Sequence, residues 1–298
     1  MCRHLAYLGT PASLRTLLID PPHGLYRQAW APRRQRYGTV NADGFGVGWY
    51  APDDPVPARY RRPVPIWGDE SFADIARVTS TGAVLAAVRC ATEGTDLGTA
   101  AVAPYVSGRW LFSHNGKVEG WPDSVAGLAA ILPASALLGL EARVDSALLW
   151  ALVRRRLELG VTAEQALADT VLALRATGVT GRFNFLLTDG RVIAATAAGD
   201  TLWYRSGPTD AFVVVASEPG DDEPGWTEVP GSCVVTATRQ QVRVAEIGAL
   251  DGHATQRQVT QRQVMQRQVM QHQDMQHQDM QHQDMQHQDP EDGRIAIR

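Results

Sequence analysis

The hydrophobic pattern alternates between runs with strand spacing and runs with helical spacing. Ala83 to Val88 is an unbroken stretch of small apolar residues, which predicts a strand buried on both faces that delivers Arg89-Cys90-Ala91-Thr92-Glu93-Gly94 to its end. Arg109 to Ser113 predicts a second short strand, delivering His114-Asn115-Gly116 into a turn. Arg3 to Leu8 predicts a third, starting directly after Cys2 and closing at Gly9. In Asn41 to Tyr50, an extended chain puts Gly44, Gly46 and Gly48 on one face and Phe45, Val47 and Trp49 on the other. The bare face lets another backbone or a ligand come close, and the other face packs a core. This is not a dinucleotide fingerprint, because Trp49 stands where the third glycine belongs and no helical pattern follows.

Helical spacing appears at Glu70 to Val78, with Phe72, Ile75 and Val78 in register, and at Pro11 to Ile19 with Ser13 as a cap. Two more helices are predicted from Asp145 and from Thr162, the latter opening like a capping box with Gln165. The stretches from Arg182 to Ile247 are short strands split by turn pairs such as Asp189-Gly190 and Gly199-Asp200. Strands, then paired helices, then strands predict an α+β fold of two sheets with helices stacked outside them, spanning residues 2–250. His23 to Val40 reads as a long ordered loop whose Tyr26, Arg27, Trp30, Arg33, Arg34 and Arg36 could line a pocket or form a solvated basic surface. Pro52 to Pro65 reads as a hairpin or surface excursion.

From Gln256 the chain repeats five-residue units such as Gln-His-Gln-Asp-Met. Five residues advance about 140° beyond a full helical turn, and five is odd for a strand, so neither structure keeps one face. His272, His277, His282 and His287 therefore do not line up as a metal site, and residues 251–298 are predicted to be a disordered low-complexity tail.

Composition narrows the class. A formal charge of −4 gives no basic footprint for nucleic acid. No segment approaches about 18 consecutive apolar residues, and the N-terminus lacks a signal pattern, so the expectation is a cytoplasmic protein without a membrane partner. Three cysteines, Cys2, Cys90 and Cys233, do not suggest a disulfide framework.

The chemistry centres on Cys2. Once Met1 is removed, one residue carries both a thiol, of ordinary pKa about 8.5, and an α-amine of roughly 7.7 to 8.0, so proton transfer between them is nearly thermoneutral. Asn115 and the backbone N–H of Gly116 could receive a developing oxyanion. Arg89 at a strand end could grip a carboxylate through two parallel bonds, and Asp145 could pair with an ammonium. Each has a plainer alternative: Arg89 as a structural ion pair, His-Asn-Gly as an ordinary turn, Asp145 as a helix cap. Cys90 and Cys233 suit inert core thiols, and His4 and His114 suit hydrogen-bonded residues near the site.

In this order, Cys2, Arg89 with Thr92, Asn115 with Gly116, and Asp145 resemble the pattern of class II glutamine amidotransferases, members of the N-terminal nucleophile hydrolase superfamily. The resemblance implies a four-layer αββα sandwich, a catalytic set of Cys2, Asn115 and Gly116, and a glutamyl site formed by Arg89, Thr92 and Asp145. One departure is Glu93, where many members carry histidine. A narrower resemblance, to the γ-glutamyl amidohydrolases of ergothioneine biosynthesis, covers nearly all of residues 1–250. It rests on Met1 to Gly9, Pro21-Pro22-His23, Gln28-Ala29-Trp30-Ala31-Pro32, Asn41 to Tyr50, Pro65-Ile66-Trp67 and Trp110 to Gly116.

That resemblance implies hydrolysis of a small-molecule γ-glutamyl substrate without metal or cofactor, with His114 near the substrate and methionine aminopeptidase needed to remove Met1. No ammonia-accepting domain is expected after the glutaminase-like half. A cationic group on the substrate would sit against Trp30, Trp49 or Tyr26. A plain glutaminase, or a silent binding module of the same fold, are the alternatives.

Overall fold

The computed structural model describes residues 2–207 and 211–250. The expected boundary at 250 and the expected disorder and histidine spacing of the tail concern residues outside the described ones. The chain opens with β1 (Arg3–Ser13), α1 (Leu14–Leu18), α2 (Leu25–Gln28), β2 (Phe45–Trp49) and β3 (Ala58–Arg62). It continues through α3 (Glu70–Val78), β4 (Ser80–Val88), β5 (Tyr105–Ser107) and β6 (Trp110–Val118). Two short helices, α4 (Ala126–Ala129) and α5 (Ala134–Leu138), precede the long pair α6 (Asp145–Glu158) and α7 (Ala163–Ala176). The remainder is β7 (Gly181–Thr188), β8 (Ile193–Ala197), β9 (Trp203–Ser206), β10 (Phe212–Ala216), β11 (Thr227–Glu228), β12 (Cys233–Ala237) and β13 (Val242–Glu246).

These strands form two antiparallel sheets, one of seven in the order β11-β9-β10-β1-β4-β2-β3 and one of six in the order β13-β12-β8-β7-β6-β5. Alternation along β1 sorts the core. Ala6 and Leu8 point inward with Leu85 to meet Leu111, Leu186, Ala195 and Val235 of the other sheet, while Leu5 and Tyr7 point outward to Leu14, Leu18, Leu25 and Phe72. Helices α1, α2 and α3 lie against the seven-stranded sheet and α6 and α7 against the six-stranded one, which gives the four-layer αββα sandwich. Phe112 of β6 stacks on Trp150 of α6 with ring centroids 5.1 Å apart.

The glycine alternation of β2 has the role its spacing predicts. Phe45 and Val47 enter the outer core, and a Cβ on Gly46 or Gly48 would strike the Ala103 carbonyl or, at 2.6 Å, the Leu111 side chain. The bare face is where the second sheet comes close. Ser13 caps α1 by accepting from the Thr16 N–H, and Thr162 caps α7 by accepting from Gln165.

One expectation needs correction. His114, Asn115 and Gly116 lie inside β6, not in a turn after it, because β6 pairs with β7 from Leu111↔Thr188 through Val118↔Gly181. Glycine is required there for closeness: a Cβ at 116 would overlap the Arg182 carbonyl and sit 2.6 Å from His114 Nε2. Strands β3, β5 and β11 and helix α2 do not stand out in the hydrophobic pattern, since β3 is polar and the others have four residues or fewer.

Candidate active site

Cys2 lies one residue before β1 and shares the inward face of His4, Ala6 and Leu8 by alternation. It lines a narrow cavity with Arg89, Tyr105, Ser113, His114 and Ser146, so both sheets and the first turn of α6 contribute. Burial raises the thiol pKa, against the opposing influence of the positive amino terminus, a hydrogen bond from the Cys90 backbone and the Arg89 guanidinium. A thiol held protonated needs a base at the moment of attack. Burial pushes the nearby His4 down to about 3 and also lowers His114.

Arg89 leaves β4 on the inward face and is buried. Its Nη2 donates to the Asp96 carbonyl at 2.8 Å and to Thr95 Oγ1 at 3.3 Å, while Nη1 is buried without a partner. Thr92 shapes this turn: its carbonyl accepts from Thr95 Oγ1 at 2.6 Å. Asp43, which the sequence pattern did not single out, braces the same segment. Its Oδ2 accepts from the Ala91 N–H at 2.7 Å and its own N–H donates to the Arg89 carbonyl at 2.9 Å.

Asn115 is fully buried on the inward face of β6, two residues beyond Ser113. Its Nδ2 donates to Ser217 Oγ at 3.4 Å, and its Oδ1 has no partner. His114 alternates with Asn115 along β6 and also lines the Cys2 cavity. Its Nε2–H donates to the Arg182 carbonyl at 2.8 Å, so in the neutral ring Nδ1 accepts from the Ser146 hydroxyl at 2.9 Å. Both ring nitrogens are committed within the protein, so His114 orients the Gly116 segment and α6 and has no free nitrogen for a substrate.

Asp145 is the first residue of α6 and is buried. One oxygen accepts from the Val118 N–H at 2.9 Å and the other from the Ser146 N–H at 2.7 Å, while the helix cap itself is Val144. Trp30 is not among the residues lining the Cys2 cavity. Trp30, like Tyr26 and Trp49, packs on the outer face of the seven-stranded sheet, edge-on to Tyr26 and Trp67 and under the Arg27 guanidinium.

The structure thus brings Cys2 and Arg89 to one cavity, while Asn115 and Gly116 follow its lining residues Ser113 and His114 along β6 and Asp145 precedes its lining residue Ser146 on α6. A family profile described as class II glutamine amidotransferases matches residues 25–209, which include Arg89, Asn115, Gly116 and Asp145. The chain belongs to the class II glutamine amidotransferase family. Among its relatives, the γ-glutamyl-hercynylcysteine sulfoxide hydrolase of Mycolicibacterium smegmatis is 40% identical over 83% of this chain and 100% of that protein. The Mycobacterium tuberculosis protein of the same name is 38% identical over 85% of this chain and 99% of its own length. A structure described as a glutamine aminotransferase class-II domain protein from Silicibacter pomeroyi has the same fold, with a TM-score of 0.60 at 23% identity, over 83% of this chain and 99% of that one. Among the described residues of this family member, no helix is long and apolar enough to cross a membrane.

Proposed function

We propose that the protein hydrolyses the γ-glutamyl amide of γ-glutamyl-hercynylcysteine sulfoxide, releasing glutamate and hercynylcysteine sulfoxide through a thioester on Cys2. The substrate rests on the full-length similarity to two hydrolases of that name. The observation that carries the chemistry is the unpartnered, buried Arg89 Nη1 in the same cavity as Cys2. A buried guanidinium nitrogen without an acceptor is costly unless a ligand supplies one, and a glutamyl α-carboxylate is the acceptor that fits a planar fork. Asp145 and the Thr92 turn complete the glutamyl end.

Methionine aminopeptidase removes Met1 and turns the Cys2 nitrogen from an amide into a basic amine. That amine takes the thiol proton, the sulfur bonds to the γ-carbonyl carbon, and the carbonyl oxygen becomes an oxyanion held by Asn115 and the Gly116 N–H. The C–N bond breaks as the ammonium returns its proton to the leaving nitrogen. Water, deprotonated by the same amine, then adds to the thioester carbon, and glutamate leaves as the thiol is restored. The test is steady-state hydrolysis of γ-glutamyl-hercynylcysteine sulfoxide beside glutamine. A kcat/KM higher for the sulfoxide supports the assignment, and a preference for glutamine makes the protein a glutaminase instead.

A further inference from the structure

Ser217 follows β10 directly and, like Asn115, is completely buried. Its Oγ accepts from the His4 backbone N–H at 3.0 Å, two residues beyond Cys2, and its own N–H donates to the His4 carbonyl at 2.9 Å. The same Oγ accepts from Asn115 Nδ2 at 3.4 Å. One hydroxyl therefore links the strand that carries Cys2 to an amide on the opposite sheet. As both contacts use its lone pairs, they leave its proton unspent, while Asn115 Oδ1 is buried with no donor.

A carboxamide offers nitrogen and oxygen at nearly the same two positions, exchanged by a half-turn about Cβ–Cγ. With nitrogen on Ser217, the other end of the amide is an oxygen, which repels an oxyanion and leaves a buried acceptor unsatisfied. With oxygen on Ser217, the hydroxyl proton goes to Oδ1, the hydroxyl still accepts from His4, and the NH₂ is freed for the reacting oxygen. Only a group that both donates and accepts can support this second state, and serine does so.

We propose that Ser217 is a positioning residue that donates to Asn115 Oδ1 and so holds the oxyanion-hole amide with its NH₂ toward Cys2. The inference rests on the oxyanion role given to Asn115 above. It predicts coupling that a purely structural serine lacks. Ser217→Ala lowers kcat about 10- to 100-fold with KM within about two-fold, because the lost order is felt at the oxyanion. In an Asn115→Ala background the same change costs less than about two-fold, since there is no amide left to orient. Ser217→Thr, which keeps the hydroxyl, restores most of kcat, and the rate of Cys2 alkylation by iodoacetamide stays within about two-fold throughout, reporting that the Cys2 strand is undisturbed.

The cycle is measured on whichever γ-glutamyl amide the wild type turns over, so a different substrate leaves it decisive. Equal losses in both backgrounds, or alkylation that falls in parallel with kcat, overturn the positioning role. A wild type that turns over neither the sulfoxide nor glutamine overturns the role together with the functional reading.

Discussion

The sandwich has two open ends, and they differ in an instructive way. At the end of β1 away from Cys2, Leu8, Gly9, Tyr50, Thr81, Gly190 and Arg191 line a cleft larger than the cavity at Cys2. The larger cleft is chemically satisfied. Tyr50 donates to the Arg109 and Thr188 carbonyls at 2.7 and 2.9 Å, and Thr81 donates to the Tyr50 carbonyl at 2.8 Å. The smaller cavity and its surroundings hold buried atoms without partners at Arg89 Nη1, Asn115 Oδ1 and His4 Nε2, whereas no lining residue of the larger cleft carries one. Buried hydrogen-bonding atoms without partners, rather than volume, distinguish the surroundings of Cys2 from the larger cleft.

Substitutions that spend or remove this capacity should be felt at the Cys2 end alone. Asn115→Ala is expected to lower kcat about 10²- to 10³-fold in steady-state assays, the usual loss for one oxyanion donor. Arg89→Lys keeps the charge but loses the fork, and should raise KM for the γ-glutamyl substrate about 10- to 100-fold with a smaller change in kcat. His4 and His114 are buried with lowered pKa values, so the unfolded chain binds their protons first as pH falls below its ordinary value of about 6.5. Stability present above that pH should drop by about 2 kcal/mol through His4 alone by pH 5 in urea titrations, and His4→Asn should flatten the slope. Arg191→Ala, in the larger cleft, should leave kcat/KM within about two-fold. A loss there comparable to that of Arg89→Lys would erase the distinction between the two ends.

Much of the layered architecture was legible because period-two and helical spacing report burial directly. Phe212–Ala216 falls where its apolar spacing puts it, Glu70–Val78 is the expected helix although it buries Phe72 and Ala76 and leaves Val78 exposed, and the glycines of β2 face the second sheet. What the sequence could not convey is where polar residues find partners across sheets. Asn115 and Ser217 are 102 positions apart, and nothing local in Ala216-Ser217-Glu218 hints at their contact. Trp30 is a related case: an aromatic in a basic loop suits a ligand, and the packing of this one on the outer face of the seven-stranded sheet is not visible in the local sequence. The His-Asn-Gly stretch looked like a turn because glycine usually permits one, whereas here glycine admits the Arg182 carbonyl within a strand.

Cys2, freed of Met1, is the proposed reacting thiol at the smaller end. Intact-mass analysis after treatment with a diazoketone analogue of norleucine, which mimics a glutamyl side chain, tests it directly. The expected result is a chain lacking Met1 that gains one adduct, mapped to Cys2 and lost in Cys2→Ala. A chain that retains Met1, or an adduct at Cys90 or Cys233 with Cys2 untouched, would contradict it.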